Sequence, residues 1–394
     1  MLSVVISCFA RVGGIGISNV LFHTARAAFR AGMLDAVICY GNRQEEIPSR
    51  LIRPVRFQPV KVVSFLKSRY YYTLKRMTLD KRAASYLRTR GCDIFHGWTT
   101  ECIRSLKEAN RIGAKTIVER PAPHPRTAWR LLTEEYVRWG VPFYQEDDNH
   151  FLRKIDWRYR DEEIAPKEFD LADRVVVQSE FGARSFLEQG FPQEKIVVLP
   201  RAVELGDYSF RRESAHDPFR VLFVGTVCLR KGFLDLLHAW DKLNLPDGEL
   251  WVLGEIHEEI VPFLKPYRDR SSIRFFGHRK EGVPRMFAES SAFVLPSITE
   301  GSAKTTYEAM AAGLPVITTP NSGSLIRDGV DGFLVGIRNP EAIGERILHL
   351  YRNREEAESM GEAARRHVAE YSWERYEDRM ISLYRELAGN GGTA

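Results

Sequence analysis

Short apolar runs alternate with longer amphipathic stretches along nearly the whole chain, and the pattern is run through twice. In the first half the apolar runs fall at 3–8, 36–39, 93–96, 115–118, 174–177 and 196–199; in the second they fall at 220–224, 249–253, 273–276, 292–295 and 315–318. Helical periodicity lies between them, for example over 18–31, 181–189, 233–242 and 305–312. A strand covered on both faces reads as an unbroken apolar run, and strands joined through helices pair in parallel. The expectation is α/β, with two Rossmann-like doubly wound sheets. A length of 394 residues suits two cores better than one. The stretch 201–218 is polar, breaks the periodicity and precedes a new apolar run, so the boundary is placed there, with domains over 1–205 and 206–371. The tail 340–387 reads as charged helices, and 389–394 should fray.

Composition removes several function classes. A net charge of +5 is too mild to imply nucleic acid. The five cysteines (8, 39, 92, 102 and 228) are odd in number, widely spaced and form no C-x-x-C, which argues against a disulfide framework or a structural zinc and for a reducing compartment. The apolar start, 2–10, lacks a basic leader and reads as a buried strand instead of a signal peptide. No apolar run approaches the roughly 20 residues that span a bilayer. A cytoplasmic protein is expected.

Three segments could carry chemistry. Arg11-Val-Gly-Gly-Ile-Gly16 joins the first apolar run to a helix. It is either a tight turn or a place where backbone approaches a ligand, and its spacing is not the dinucleotide fingerprint. Phe223-Val-Gly-Thr-Val-Cys-Leu-Arg-Lys-Gly232 opens the second domain in the same way and sets Arg230 and Lys231 at a helix start. The helix dipole disfavours cations there, so an anion such as a diphosphate would compensate, unless both side chains point into water. The third segment runs from Glu300 through Gly-Ser-Ala-Lys-Thr-Thr-Tyr to Glu308, then Ala-Met-Ala-Ala-Gly-Leu-Pro-Val. It offers free amides at a helix start beside two carboxylates, and a carboxylate accepts two hydrogen bonds from a diol. Phosphate and polyol sites side by side suit a nucleotide-sugar.

Together these segments resemble the GT-B glycosyltransferases, and within them the large retaining group called family 4. The resemblance extends through Phe275-Phe-Gly-His278, Val294-Leu-Pro-Ser297 and the run Ser322-Gly-Ser-Leu-Ile-Arg-Asp-Gly-Val-Asp-Gly-Phe-Leu-Val335. In the N-terminal half it rests on the Gly14 and Gly16 turn, Asp93-Ile-Phe-His96 and Leu171-Ala-Asp-Arg-Val-Val-Val-Gln-Ser-Glu-Phe181. It implies two domains facing a central cleft, with a C-terminal helix at 372–388 completing the first. It implies that Arg230 and Lys231 hold the donor diphosphate, Glu308 accepts the ribose hydroxyls and Glu300 faces the transferred sugar. Amides around Ser302, Ala303, Lys304 and Thr305 would cap phosphate and sugar, Gly16 would let the N-terminal loop touch the diphosphate, and His278 would border the base. The chain departs from the family pattern at Thr226, where arginine is common, at Ala303, where glycine is common, and at Lys304, which either meets the donor or points to solvent.

The resemblance implies retention at the anomeric carbon without a metal or other cofactor, and no Asp-x-Asp occurs. The acceptor would be a glycan, a lipid-linked compound or a small hydroxyl compound. His96, ending a strand, and His124, in a proline-stiffened loop after the next, are candidates to contact sugar or acceptor. Alternatives are a nucleotide-sugar epimerase and a catalytically silent nucleotide-sugar binder. The segment 61–90 carries nine cations against Asp80, with Tyr70, Tyr71 and Tyr72 interleaved. It is either a solvated helix face or a peripheral contact with anionic membrane at the inner face.

Overall fold

A computed structural model describes residues 2–55, 68–143, 150–210, 218–279 and 281–389. The first sheet has strands β1 (Val4–Ser7), β2 (Leu34–Cys39), β3 (Ile52–Pro54), β4 (Ile94–Trp98), β5 (Lys115–Arg120), β6 (Arg174–Val177) and β7 (Ile196–Val198), in the order β3-β2-β1-β4-β5-β6-β7. The second has β8 (Phe219–Val224), β9 (Gly248–Leu253), β10 (Ile273–Gly277), β11 (Ala292–Leu295), β12 (Val316–Thr318) and β13 (Gly332–Leu334), in the order β10-β9-β8-β11-β12-β13. Every pairing between these strands is parallel. The strand order reverses beside β1 in one sheet and beside β8 in the other. Loops leaving the carboxyl ends of β1, β4, β8 and β11 therefore border the two switch-point crevices, where such sheets take ligands.

Two edge strands, β3 and β13, are absent from the sequence reading. Each is three residues long and broken by Arg53 and Pro54 or by Gly332, so no apolar run marks it, unlike the equally short β7, Ile-Val-Val. β3 ends on Pro54, which only an edge tolerates. β13 begins at Gly332, with φ 144°, where a Cβ would come within 2.1 Å of the Val316 carbonyl oxygen. Helix ends sit one or two residues from those read in the sequence: Ile17–Arg30, Glu180–Leu187 and Lys304–Ala311, while Phe233–Lys242 coincides.

The helix Trp373–Leu387 starts where the Ser372 side chain accepts the Arg375 amide. It buries Tyr376, Met380, Leu383, Tyr384 and Leu387, the i, i+4, i+7 stripe of an amphipathic helix, against Val4, Ile6 and Leu21 of the first domain. Each such buried side chain contributes about 1.5–3 kcal/mol. Glu377, fully buried on that face, accepts from His23 at 2.7 Å, Arg26 at 2.6 Å and Arg30 at 2.7 Å, all on the helix Ile17–Arg30. The chain's end is thus bound to its beginning.

The domains also meet through the helix Pro125–Arg138, which belongs to the first domain by sequence and leans on the second. Arg138 pairs with the buried Asp235 at 2.7 Å. Arg338 reaches back to Glu135 at 2.7 Å and Glu134 at 2.9 Å. Leu131, Phe181 and Ile298 close a small apolar cluster across the boundary. Of the linker read at 201–218, residues 211–217 lie outside the described residues, as do Lys61 and Lys67 of the basic segment and the tail 390–394.

Candidate active site

The carboxyl ends of both sheets border one cavity of about 570 Å³. The first domain contributes residues that follow β1, β4 and β5; the second contributes Arg230 after β8 and Thr299, Glu300 and Gly301 after β11.

On the second-domain side, two loops are stitched together. The Ile298 amide donates to the Arg230 carbonyl at 2.9 Å, and the Glu300 amide donates to the Asn321 carbonyl at 2.9 Å. Gly232 takes φ 66°, and a Cβ there would lie 2.0 Å from the Pro296 carbonyl oxygen, so only glycine lets these loops touch. The result places Arg230 and Lys231 on a single carboxylate. Lys231 Nζ lies 2.7 Å from Glu300 Oε1, and the Arg230 guanidinium donates to the same oxygen. The charge that offsets two cations at the start of the helix Phe233–Lys242 is thus supplied by Glu300, where the sequence suggested a diphosphate.

Glu308 sits one turn into the next helix, nearly buried, and Lys304 folds back onto it at 2.6 Å. It also hydrogen-bonds Tyr208; burial, then this carboxylate, pushes the tyrosine hydroxyl well above its ordinary range. Lys304 is exposed and ends on a carboxylate of its own helix. Ser302 is buried and donates to the Tyr307 hydroxyl at 3.0 Å, and the Ala303 amide is committed to the Ser322 carbonyl at 2.9 Å. Of the four positions expected to cap phosphate, Ala303 therefore has no amide to offer. Thr305 Oγ1 is buried without a partner. His278 is exposed at the end of β10. Gly14 and Gly16 take φ 130° and 64° in the loop that carries Ile15, Ile17 and Ser18 to the cavity.

Neither candidate histidine faces the cavity. His96 is fully buried under the C-terminal helix, its Nδ1 2.9 Å from the Tyr384 hydroxyl and its ring stacked on Trp98. His124 caps the helix Pro125–Arg138, its Nδ1 accepting the Arg126 amide at 3.3 Å, and packs edge-on against Phe186. Burial, reinforced by Arg120 and Arg126, lowers its pKa to about 4, so it is neutral. The His96 and His124 side chains turn into the domain interior while Trp98, on the strand of His96, lines the cavity; neither histidine lines it, which corrects the expectation that they contact sugar or acceptor.

The wall opposite Glu300 is built by residues that the sequence reading passed over. Thr100 takes φ 71°, a left-handed conformation rare for a β-branched residue. Glu168 holds it there by accepting the amides of Thr100 at 2.5 Å and Cys102 at 3.0 Å, and Arg160 donates to its carbonyl at 2.8 Å. The kink presents Glu101 to the cavity. Glu101 Oε1 accepts the Phe9 amide at 2.6 Å, and Oε2 lies 3.6 Å from Arg76 Nε. Burial pushes its pKa up to about 8, with Arg76 and the Phe9 amide working against the rise. Arg120 lines the wall too, but its guanidinium is spent on Asp161, which also accepts the Trp129 indole N–H at 3.0 Å. A signal for Glu101 existed: an acid three residues past the end of a strand in a parallel sheet.

Comparison with known proteins bears on this geometry. Residues 218–353 match the family described as glycosyl transferases group 1. Over its whole length the chain superposes on sucrose-phosphate synthase from Thermosynechococcus elongatus, with a TM-score of 0.69, 18% identity, and 99% and 100% of the two chains covered. HepE from Anabaena, solved in complex with UDP, gives a TM-score of 0.68 at 13% identity, with 98% and 100% covered. The fold is GT-B. Among curated proteins, spore coat protein SA of Bacillus subtilis is 29% identical over 174 residues, 43% of this chain and 41% of that one. A D-inositol 3-phosphate glycosyltransferase of Geodermatophilus obscurus is 28% identical over 242 residues, 55% of this chain and 53% of that one. The chain spans about half the length of the curated relatives it matches. In this GT-B frame the matched segment is the second domain, which carries Arg230, Lys231, Glu300 and Glu308.

Proposed function

We propose that the protein is a retaining glycosyltransferase, moving a sugar from a nucleotide-diphosphate sugar to a hydroxyl acceptor without a metal. The observation that carries this reading is the convergence of Arg230 and Lys231 on Glu300 at the edge of a cavity whose other wall belongs to the first domain. A departing diphosphate gathers negative charge as the sugar turns oxocarbenium-like. Fixed cations aimed at that charge are the main catalytic device such a site needs, each worth about 3 kcal/mol. Glu300 then turns to the sugar hydroxyls, and Glu308 takes the ribose diol.

Same-face transfer balances without a protein base. The bond from the anomeric carbon to the diphosphate oxygen breaks, the acceptor oxygen bonds to that carbon from the same side, and its proton passes to the departing phosphate. An epimerase on the same fold would need no acceptor; the Arg230-Lys231 loop joined to the Glu300–Glu308 segment supports transfer instead. The binding of UDP by HepE is consistent with a nucleotide donor here.

The test is to incubate the protein with UDP-, GDP- and ADP-sugars in EDTA and follow donor consumption and product configuration by NMR. Expected is slow loss of one donor to water, and acceptor product with the donor's anomeric configuration. Inverted product, or activity only with added metal, contradicts retention or metal independence respectively.

Peripheral membrane contact belongs to the same proposal. In the helix Ser68–Arg90, Lys75 sits over the Tyr40 ring at 4.7 Å and Arg88 pairs with Glu108 at 3.1 Å. Lys81, Arg82 and Arg90 remain exposed on it. No helix among the described residues is long and apolar enough to cross a membrane. Sedimentation with anionic vesicles that weakens between low and high salt is expected; binding that ignores salt contradicts it.

A further inference from the structure

The cavity has two unlike ends. At its mouth, Ile15 is 89% exposed and Ile17 and Trp157 are each 43% exposed. These are three of only nine large apolar side chains exposed among the described residues, and all three line this one cavity. Ile15 is held outward by its backbone: Gly13, Gly14 and Gly16 around it all take positive φ, a course that L side chains rarely follow. Leu132 and Trp129 continue the apolar surface inward. Clustered exposed apolar groups rimming a cavity mark a binding surface.

The inner end is polar and incompletely satisfied. Glu101 is buried there, the Trp98 indole N–H is buried with no hydrogen-bond partner, and Arg76 Nε has only the Glu101 carboxylate, 3.6 Å away and beyond hydrogen-bond distance. Buried N–H groups without partners are rare and call for an explanation, which a ligand oxygen would supply. A polyhydroxylated chain would need polar partners all along the cavity, and the mouth offers it carbon.

Resting on the glycosyl-transfer reading above, we infer that the acceptor is a single-chain amphiphile, a hydroxyl-bearing headgroup on a hydrocarbon tail. The headgroup lies at Glu101, Arg76 and Trp98, and the tail leaves along Ile15, Ile17 and Trp157. Glu101 accepts a hydrogen bond from the headgroup hydroxyl, and the Trp98 N–H donates one to it.

The experiment is calorimetric titration of the full chain with octyl β-D-glucoside, kept below its micelle-forming concentration, against methyl β-D-glucoside. The octyl compound should bind about tenfold or more tightly than the methyl one, with a negative heat-capacity change. In the double variant Ile15→Ser, Ile17→Ser the ratio should fall to within about twofold. Both positions are exposed, so the variant should fold, and an unchanged thermal shift with UDP, GDP or ADP checks this. Trp98→Phe should weaken both glucosides by a similar factor of about five. Equal affinities, no binding of either, or a ratio that survives the double variant overturns the amphiphile assignment. Octyl glucoside binding with no nucleotide shift would instead sink the glycosyl-transfer reading and leave the apolar mouth standing.

Discussion

The two walls of the cavity are made in opposite ways. The second-domain wall is charged where Arg230 and Glu300 line it, and the groups at and behind it come from two short segments, 225–232 and 296–308, whose side chains satisfy one another: Arg230 and Lys231 on Glu300, Lys304 on Glu308. The first-domain wall is mostly carbon. It is assembled from loops after three strands and from the helices at Ser68–Arg90, Pro125–Arg138 and Trp157–Tyr159; of its two carboxylates at the cavity, Asp161 is paired with Arg120 and Glu101 is held protonated by burial. A wall that handles a fixed charged group can be written in a contiguous motif. A wall that fits a variable partner is written in shape, spread through the sequence.

The largest effect that would break this contrast is in the charged wall. Lys231→Ala should lower turnover about 100- to 1,000-fold on the proposal that its ammonium stabilises the leaving group. The thermal midpoint should move by only a few degrees, since Arg230 still covers the Glu300 carboxylate. A rate within threefold of wild type would remove Lys231 from the chemistry.

Glu101→Gln sharpens the contrast through pH. The folded carboxyl holds its proton up to about pH 8, whereas the unfolded one releases it near 4.5. Its contribution to stability is therefore full below about 4.5 and lost as pH rises toward 8. The midpoint of Glu101→Gln relative to wild type should rise by several degrees between pH 5 and pH 8. Glu168, also raised, to about 7, is present in both proteins, and its charge adds to the rise at Glu101. A difference that stays flat with pH means that Glu101 is ionised in the fold. The variant's kcat/KM for the acceptor should fall about tenfold, with acceptor KM rising more than donor KM.

Glu308→Gln keeps a partner for Tyr208 and removes the charge that a ribose diol prefers. Nucleotide affinity should fall about five- to tenfold by calorimetry. An unchanged affinity would place the ribose elsewhere. The smallest effect is expected at the corrected histidine. His124→Asn retains a capping side chain, so turnover should stay within about twofold and the midpoint within a few degrees. A collapse in rate without loss of fold would return His124 to the site.

These differences also explain what was legible in the sequence. Both sheets could be read because eleven strands carry a short apolar run between helices; β3, Ile-Arg-Pro, and β13, Gly-Phe-Leu, could not, having no such run. Arg230, Lys231, Glu300 and Glu308 could be read because motif and helix start coincide. Glu101 was hidden because its exposure depends on the kink at Thr100, which is held by Glu168, 67 residues further on from Glu101. His96 and His124 were misread because strand ends bring candidates near an edge without fixing which way a side chain turns. The C-terminal helix, 372–388 in the sequence reading, lies on the first domain as Trp373–Leu387 through contacts such as Glu377 with His23 that no local pattern announces.

The most direct measurement is a thermal-shift titration with UDP, GDP and ADP in EDTA, on wild type and Lys231→Ala together. A nucleotide donor site on Arg230, Lys231 and Glu308 predicts that one base stabilises the wild type, by about 2.7 kcal/mol at a hundredfold excess over Kd, and that the shift largely disappears in the variant. No shift with any nucleotide, or one that Lys231→Ala leaves intact, would contradict it.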